Sequence, residues 1–250
     1  MKRFNKLSAI VFLSMILLMS FNIPTRKIKV YLVGDSTMSI KQISKYPEAG
    51  WGMPFANFFD ESVTVDNRAQ NGRSTKSFMA EGRWKSVTDS LKAGDYVFIQ
   101  FGHNDEVKTK KTYTTEEEFK NNLARYVSES QKAGALPVLI TPVARRNFDA
   151  EGQVLPTHQV YSEIVRTLSR EMKVPLIDLD KESMALLQKM GVENSKLLFN
   201  KLEPGQNPNY PAGVDDNTHF NEYGARRMAE LVLSELKKMN LEIANRIVKH

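Results

Sequence analysis

The 250-residue chain has no cysteine. Disulfides, thiolate nucleophiles, cysteine metal ligands and a lipid-modified N-terminal cysteine are therefore excluded. Histidine is scarce: His103, His158, His219 and His250 are the only four, so imidazole chemistry has few candidates. No His/Asp/Glu cluster shows convincing metal spacing, and nothing calls for a metal or another cofactor. The largest basic cluster is "KTKK", residues 108–111, far from the concentrated stripe that nucleic acid requires. Internal repeats and low-complexity tracts are absent.

There is one long apolar run. "MKRFNK" carries Lys2, Arg3 and Lys6, and residues 9–21, "AIVFLSMILLMSF", are almost wholly apolar. A basic start followed by a short apolar stretch reads as a secretory signal, and the run falls short of the roughly 20 residues that span a bilayer. We expect a signal over residues 1–22, one domain over 27–240 and a tail over 241–250. An uncleaved anchor is the alternative. The protein is expected to be exported, to the periplasm or the medium, with no membrane association once the signal is removed. Losing the three leader cations takes the formal charge from +6 to +3, a mild basic bias compatible with an acidic substrate. Hydrophobic residues make up 41% and charged residues 26%, ordinary for a globular protein. A chain of this length can hold a sizeable core without staples.

Apolar runs alternate with helical patterns. "IKVYLVG" (28–34), "SVTVDNRA" (62–69), "DYVFIQFG" (95–102), "LPVLITPV" (136–143) and "VPLIDL" (174–179) read as five strands. Their near-continuous apolar character fits a parallel sheet covered on both faces. Residues 114–134, 157–173 and 221–239 read as helices, the first with a Thr cap, early glutamates and a closing Gly134. The expected fold class is an α/β three-layer sandwich, a roughly five-stranded parallel sheet with helices on both faces. Residues 200–217, rich in Pro, Gly and Asn, read as a long loop.

Ligands of open α/β sheets sit beyond the carboxyl ends of the strands. Those ends read "GDSTM", "NRAQNGRST", "FGHND" and "TPVARR", and the long loop delivers "DDNTHF" before the last helix. A lone serine after a strand is usually a turn residue or a helix cap. For Ser36 to be a nucleophile it needs a base, a group to orient that base, and donors for an oxyanion. His219 lies three residues after Asp216, so the carboxylate can fold back onto one ring nitrogen and leave the other for a serine. Asp215 is the competing orienter. By itself, D-x-x-H is a common pattern before a helix. Gly72 could offer a backbone N–H and Asn104 a side-chain N–H, as oxyanion donors must; each also reads as an ordinary turn residue. His103 reads as structural and His158 as a surface residue opening a helix.

Taken together, the ordered blocks "GDSTM", "NRAQNGRST", "FGHND" and "DDNTH" resemble the SGNH (GDSL) hydrolase family over roughly residues 27–240. The usual leucine of the first block is Thr37 here. "GDSTM", "GRSTKSF", "DNTHF" and the segment "GWGMPFANFF" (50–59) are similar to the rhamnogalacturonan acetylesterase branch. The resemblance implies a flavodoxin-like fold and a serine esterase acting through an acyl-enzyme. It implies Ser36 as nucleophile, His219 as base, Asp216 as orienter, and Ser36 N–H, Gly72 N–H and the Asn104 amide as oxyanion hole. The sharp G-x-S-x-G elbow of other α/β-hydrolases is absent.

The implied substrate is an acetylated, acidic polysaccharide of the plant cell wall. Arg73, Arg145 and Arg146 at strand ends could meet its carboxylates, and Trp51, Trp84 and Tyr210 could offer flat faces to sugars, although Trp51 also suits core packing. Acetylated xylan, a sialic acid acetyl ester or a lysophospholipid are alternative esters. A carbohydrate-binding domain without chemistry is the non-enzyme alternative, and it would be expected to lack one of these residues. The protein is expected to work as a monomer and not to bind nucleic acid.

Overall fold

The computed structural model describes residues 26–248. The expected signal and His250 lie outside the described residues. Five parallel strands, β1 (Ile28–Gly34), β2 (Val63–Asn67), β3 (Tyr96–Gln100), β4 (Leu136–Ile140) and β5 (Leu176–Ile177), form one sheet in the order β2-β1-β3-β4-β5. Strand β5 is far shorter than the expected run over 174–179, because Asp178 already caps the following helix.

The apolar continuity of the strands has a simple cause. Side chains alternate between two faces, and both faces are covered. Ile28, Val30 and Leu32 of β1 join Phe98, Val138 and Ile140 in one core, while Tyr31 and Val33 join Val97, Ile99 and Leu139 in the other. The helices are α1 (Gly52–Phe55), α2 (Thr75–Ala80), α3 (Arg83–Thr88), α4 (Glu116–Lys132), α5 (Gln159–Met172), α6 (Leu179–Asn194) and α7 (Glu222–Lys238). α1, α6 and α7 pack on the first face, the last through Ala225, Met228, Val232 and Leu236. α2 to α5 pack on the second, through residues such as Phe78, Trp84, Phe119 and Val165.

Local chemistry sets the helix starts. Thr115 accepts the Glu118 backbone N–H while the Glu118 carboxylate accepts that of Thr115, a reciprocal cap for α4. Asn221 accepts the Gly224 N–H at the start of α7.

Residues 200–217 are not simply a loop. β6 (Phe199–Leu202) and β7 (Val214–Phe220) pair antiparallel as a separate two-stranded sheet, and only the Pro/Gly-rich stretch between them is a turn. Buried Phe199 and Phe220, with ring centroids 5.3 Å apart, fasten this hairpin to the core. The segment 242–246 forms a short 3-10 turn whose Ile243 is buried. Among the described residues no helix is long and apolar enough to cross a membrane.

Candidate active site

The strand order reverses direction at β1, with β2 on one side and β3 on the other, and such a switch point opens a crevice at the carboxyl ends. β1 ends at Gly34 because β3 passes too close for a side chain: a Cβ there would lie 2.6 Å from the Gln100 carbonyl oxygen. The turn that follows is set by Asp35. Its Oδ1 accepts the Thr37 N–H at 3.0 Å and the Thr37 hydroxyl at 2.8 Å, so Thr37, in place of leucine, holds the turn. Burial pushes the Asp35 carboxyl up, against the Thr37 hydrogen bonds that pull it down. This turn places Ser36 at the floor of the crevice, largely buried.

The loop after β2 is tied to the same strand end, the Gln70 N–H donating to the Gly34 carbonyl. Gly72 has φ +76°, and no atom other than those of its own chain neighbours lies within 4 Å of where its Cβ would be. The left-handed backbone calls for glycine, and the open space beside it belongs to the cavity. After β3, Asn104 donates one amide hydrogen to the Arg73 carbonyl at 3.1 Å and accepts from Lys110 Nζ at 3.0 Å. The second amide hydrogen has no partner among the described residues. Ser36, Gly72 and Asn104 all line one cavity of about 370 Å³.

The remaining side of that cavity comes from the hairpin. Ser36 Oγ lies 2.9 Å from His219 Nε2, and His219 Nδ1 lies 2.8 Å from Asp216 Oδ2. Asp216 Oδ1 also accepts the backbone N–H groups of Thr218 and His219 at 2.6 and 2.9 Å. Burial pushes this carboxyl up, but the His219 and backbone hydrogen bonds outweigh it and hold its pKa at about 2. Asp215 points the other way. Its side chain is 83% exposed and pairs with Lys201, so the geometry puts Asp216, not Asp215, on the histidine. A hydroxyl in contact with an imidazole that is itself held by a carboxylate can be deprotonated while it attacks a carbonyl carbon.

The residues expected to meet substrate disperse. Arg145 lines the cavity and donates to Thr218 Oγ1, the His103 carbonyl and Glu106. Arg146 lies over a second cavity of about 650 Å³, also lined by Lys196, Lys201 and Asp215, and is held by Ser195, Asn217 and the Val192 carbonyl. Arg73 pairs with Glu81. Tyr210 donates to the Lys45 carbonyl and braces the cavity wall from behind. Trp51 and Trp84 are buried, donating to Gln100 and Glu129, so neither offers a face to a sugar.

His158 is a correction. It opens α5 as expected, but it is only 1% exposed and its Nδ1 sits 2.9 Å from Glu106 Oε2. An inward-turned cap residue just ahead of a helix leaves no mark in hydrophobic periodicity. Its ring packs edge-on to buried His103, with centroids 4.3 Å apart. Burial, helped by His158 and Arg145, holds His103 well below the ordinary histidine range, so it stays neutral. Lys41, Lys45, Glu48 and Lys110 complete the surroundings of the site, and of these only Lys110, within "KTKK", is expected from the sequence to meet substrate carboxylates. Lys45, Glu48 and Lys110 line the cavity. Among the described residues no group of three or more His, Asp or Glu side chains is placed to hold a metal ion.

Comparison with known proteins agrees with the fold. The profile of the GDSL-like Lipase/Acylhydrolase family matches residues 32–227. Rhamnogalacturonan acetylesterase RhgT of Bacillus subtilis is 40% identical over 89% of this chain and 95% of its own length. Probable rhamnogalacturonan acetylesterase YesY of the same organism is 35% identical over 88% of this chain and 97% of its own. The crystal structure of YxiM from Bacillus subtilis superposes with a TM-score of 0.75 at 28% identity, covering 88% of this chain and 59% of that longer one.

Proposed function

The chain belongs to the GDSL-like lipase/acylhydrolase family and is a carboxylic ester hydrolase; from that premise we propose that it removes acetyl groups from acetylated rhamnogalacturonan, or a closely similar acidic polysaccharide, through an acyl-enzyme on Ser36. The observation that carries the reading is the continuous contact from Ser36 Oγ to His219 Nε2 and from His219 Nδ1 to Asp216.

In this reading His219 takes the Ser36 proton as Oγ attacks the acetyl carbonyl carbon. The tetrahedral oxyanion is received by the Ser36 N–H, the Gly72 N–H and the free Asn104 amide hydrogen. Collapse expels the sugar alcohol, which takes the proton back from His219. Water, deprotonated by the same imidazole, then attacks the acyl-enzyme and releases acetate. Asp216 remains ionised throughout and holds the imidazolium that forms.

The similarity to RhgT, a rhamnogalacturonan acetylesterase, and to YesY, a probable one, supports this substrate, and so does the cavity's rim. An acetyl group needs little room, so selectivity falls to the alcohol side. There the lining carries Lys45, Lys110 and Arg145, cations suited to sugar carboxylates. A large apolar acyl pocket, as a long-chain lipase would want, does not fit this polar lining. The five residues of the proposed chemistry come from one chain, which suits a monomer. The basic and apolar start supports export.

The test is acetate release from acetylated rhamnogalacturonan, acetylated xylan and 4-nitrophenyl acetate by wild type and folded Ser36→Ala. Release from the pectic polymer that disappears in Ser36→Ala is expected. Turnover of 4-nitrophenyl acetate alone would keep the chemistry and discard the polymer. Unchanged turnover in Ser36→Ala would discard the nucleophile.

A further inference from the structure

Five residues beyond Ser36 lies a buried cation. The Lys41 side chain is only 2% exposed, and its Nζ has three acceptors: the Ser36 carbonyl oxygen at 2.6 Å, Asn71 Oδ1 at 2.9 Å and Glu48 Oε1 at 2.8 Å. An ammonium has three protons, so every one is used. Burial lowers the lysine's pKa, and the Glu48 carboxylate opposes that effect. Removing such a pair from water is costly, and a buried ion pair is weak evidence of a stabilising role. Its placement suggests a different role.

Each acceptor belongs to a different wall of the cavity. The Ser36 carbonyl is part of the nucleophile's own backbone. Asn71 immediately precedes Gly72, and its Oδ1 also accepts from the Ser39 hydroxyl. Glu48 and Lys45 line the cavity from a third segment of chain, where Tyr210 donates to the Lys45 carbonyl. The ammonium therefore pins the nucleophile turn to the loop that presents the Gly72 N–H. Their spacing is what an oxyanion hole depends on, because its donors must be in place before charge develops.

We propose that Lys41 is a positioning residue that locks the Ser36 turn against the Asn71–Gly72 loop, so that the oxyanion donors are preorganised around the nucleophile. The inference rests on Ser36 as the nucleophile. It concerns the chemical step and not the polymer, so it is read on a small neutral ester. Lys41→Met keeps the apolar stem and removes the three hydrogen bonds. Misplacing reacting groups by an ångström costs about 10²-fold, so a fall of about 10- to 100-fold in kcat on 4-nitrophenyl acetate is expected, with KM little changed. Lys41→Met also strands the Glu48 carboxylate. The double variant Lys41→Met/Glu48→Gln removes both charges and should recover most of the lost Tm without recovering kcat.

That separation of Tm from kcat is what a merely structural lysine would not produce. A double variant with wild-type kcat, or one whose kcat returns in step with its Tm, overturns the proposal. So does a fall confined to KM, or failure of both variants to fold. Ser36→Ala run alongside keeps the two levels distinct. If Ser36→Ala stays active, the reading of the site fails. If Ser36→Ala is dead while Lys41→Met is fully active, only the role of Lys41 fails.

Discussion

The cavity has two sides built on opposite plans. The sheet side, carrying Ser36, Gly72 and Asn104, stands on the carboxyl ends of three parallel strands packed in the core. The hairpin side, carrying Asp216 and His219, is a two-stranded ribbon with partly exposed side chains. Their carboxyl groups differ accordingly. On the sheet side Asp35 and Asp105 are fully buried, and burial pushes both up, Asp105 to about 7. On the hairpin side Asp216 has enough donors to hold its pKa at about 2. One side supplies fixed dipoles around a neutral nucleophile, and the other keeps a permanent negative charge behind the base.

Breaking the hairpin side should cost most. His219→Ala is expected to lower kcat by about 10⁶-fold, the scale for losing the base of such a triad, in steady-state assays on 4-nitrophenyl acetate. Asp216→Asn should cost about 10⁴-fold through loss of the correct tautomer. Asp215→Asn, one residue away and turned to solvent, should stay within about twofold, the scale of an exposed ion pair. Equal losses at 215 and 216 would contradict the assignment of Asp216. On the sheet side, Asn104→Ala is expected to lower kcat by about 10²- to 10³-fold, and a folded variant with full activity would remove Asn104 from the oxyanion hole.

An effect on stability sharpens the electrostatic contrast. Asp105 accepts from the Thr75 N–H, the Thr75 hydroxyl and the Thr114 hydroxyl through one oxygen, while its other oxygen is buried without a partner. Its folded pKa lies above the unfolded value of about 3.9, so the folded state holds the extra proton between the two. Stability should therefore fall as pH rises from about 4 to 7, by about 1 kcal/mol per pH unit, and level off above. Asp216 has the opposite sign. Its contribution is present above about pH 4 and is lost as pH falls toward 2. Urea unfolding of wild type and Asp105→Asn at several pH values isolates the first effect. Parallel curves for the two proteins between about pH 5 and 7 would contradict it.

The same two sides explain what was legible from residues alone. β1, β3 and β4 are buried on both faces, so they read as apolar runs, and the polar residues at their ends marked the crevice. The hairpin hid because Pro204, Pro208, Pro211, Gly205 and Gly213 dominate its turn, and because a half-buried strand written "VDDNTHF" has no apolar alternation. Its chemistry showed through only as the spacing of Asp216 and His219. α2, α3 and α6 leave little trace in the sequence; the first two are short, and α6 is broken at Gly191. Arg145 and Arg146 read as one cationic pair, yet adjacent residues leave a strand end in different directions, and they line different cavities. Lys41 carried no signal, since a lone lysine in a loop ordinarily faces water.

The most direct measurement treats the wild-type protein with a fluorophosphonate, which forms a stable adduct only on an activated serine hydroxyl, and locates the adduct by peptide mass spectrometry. One adduct per chain, on Ser36, and none in His219→Ala over the same interval, is the expected result. Labelling at another residue, or undiminished labelling of Ser36 without His219, would contradict a nucleophile activated across the two sides of the cavity.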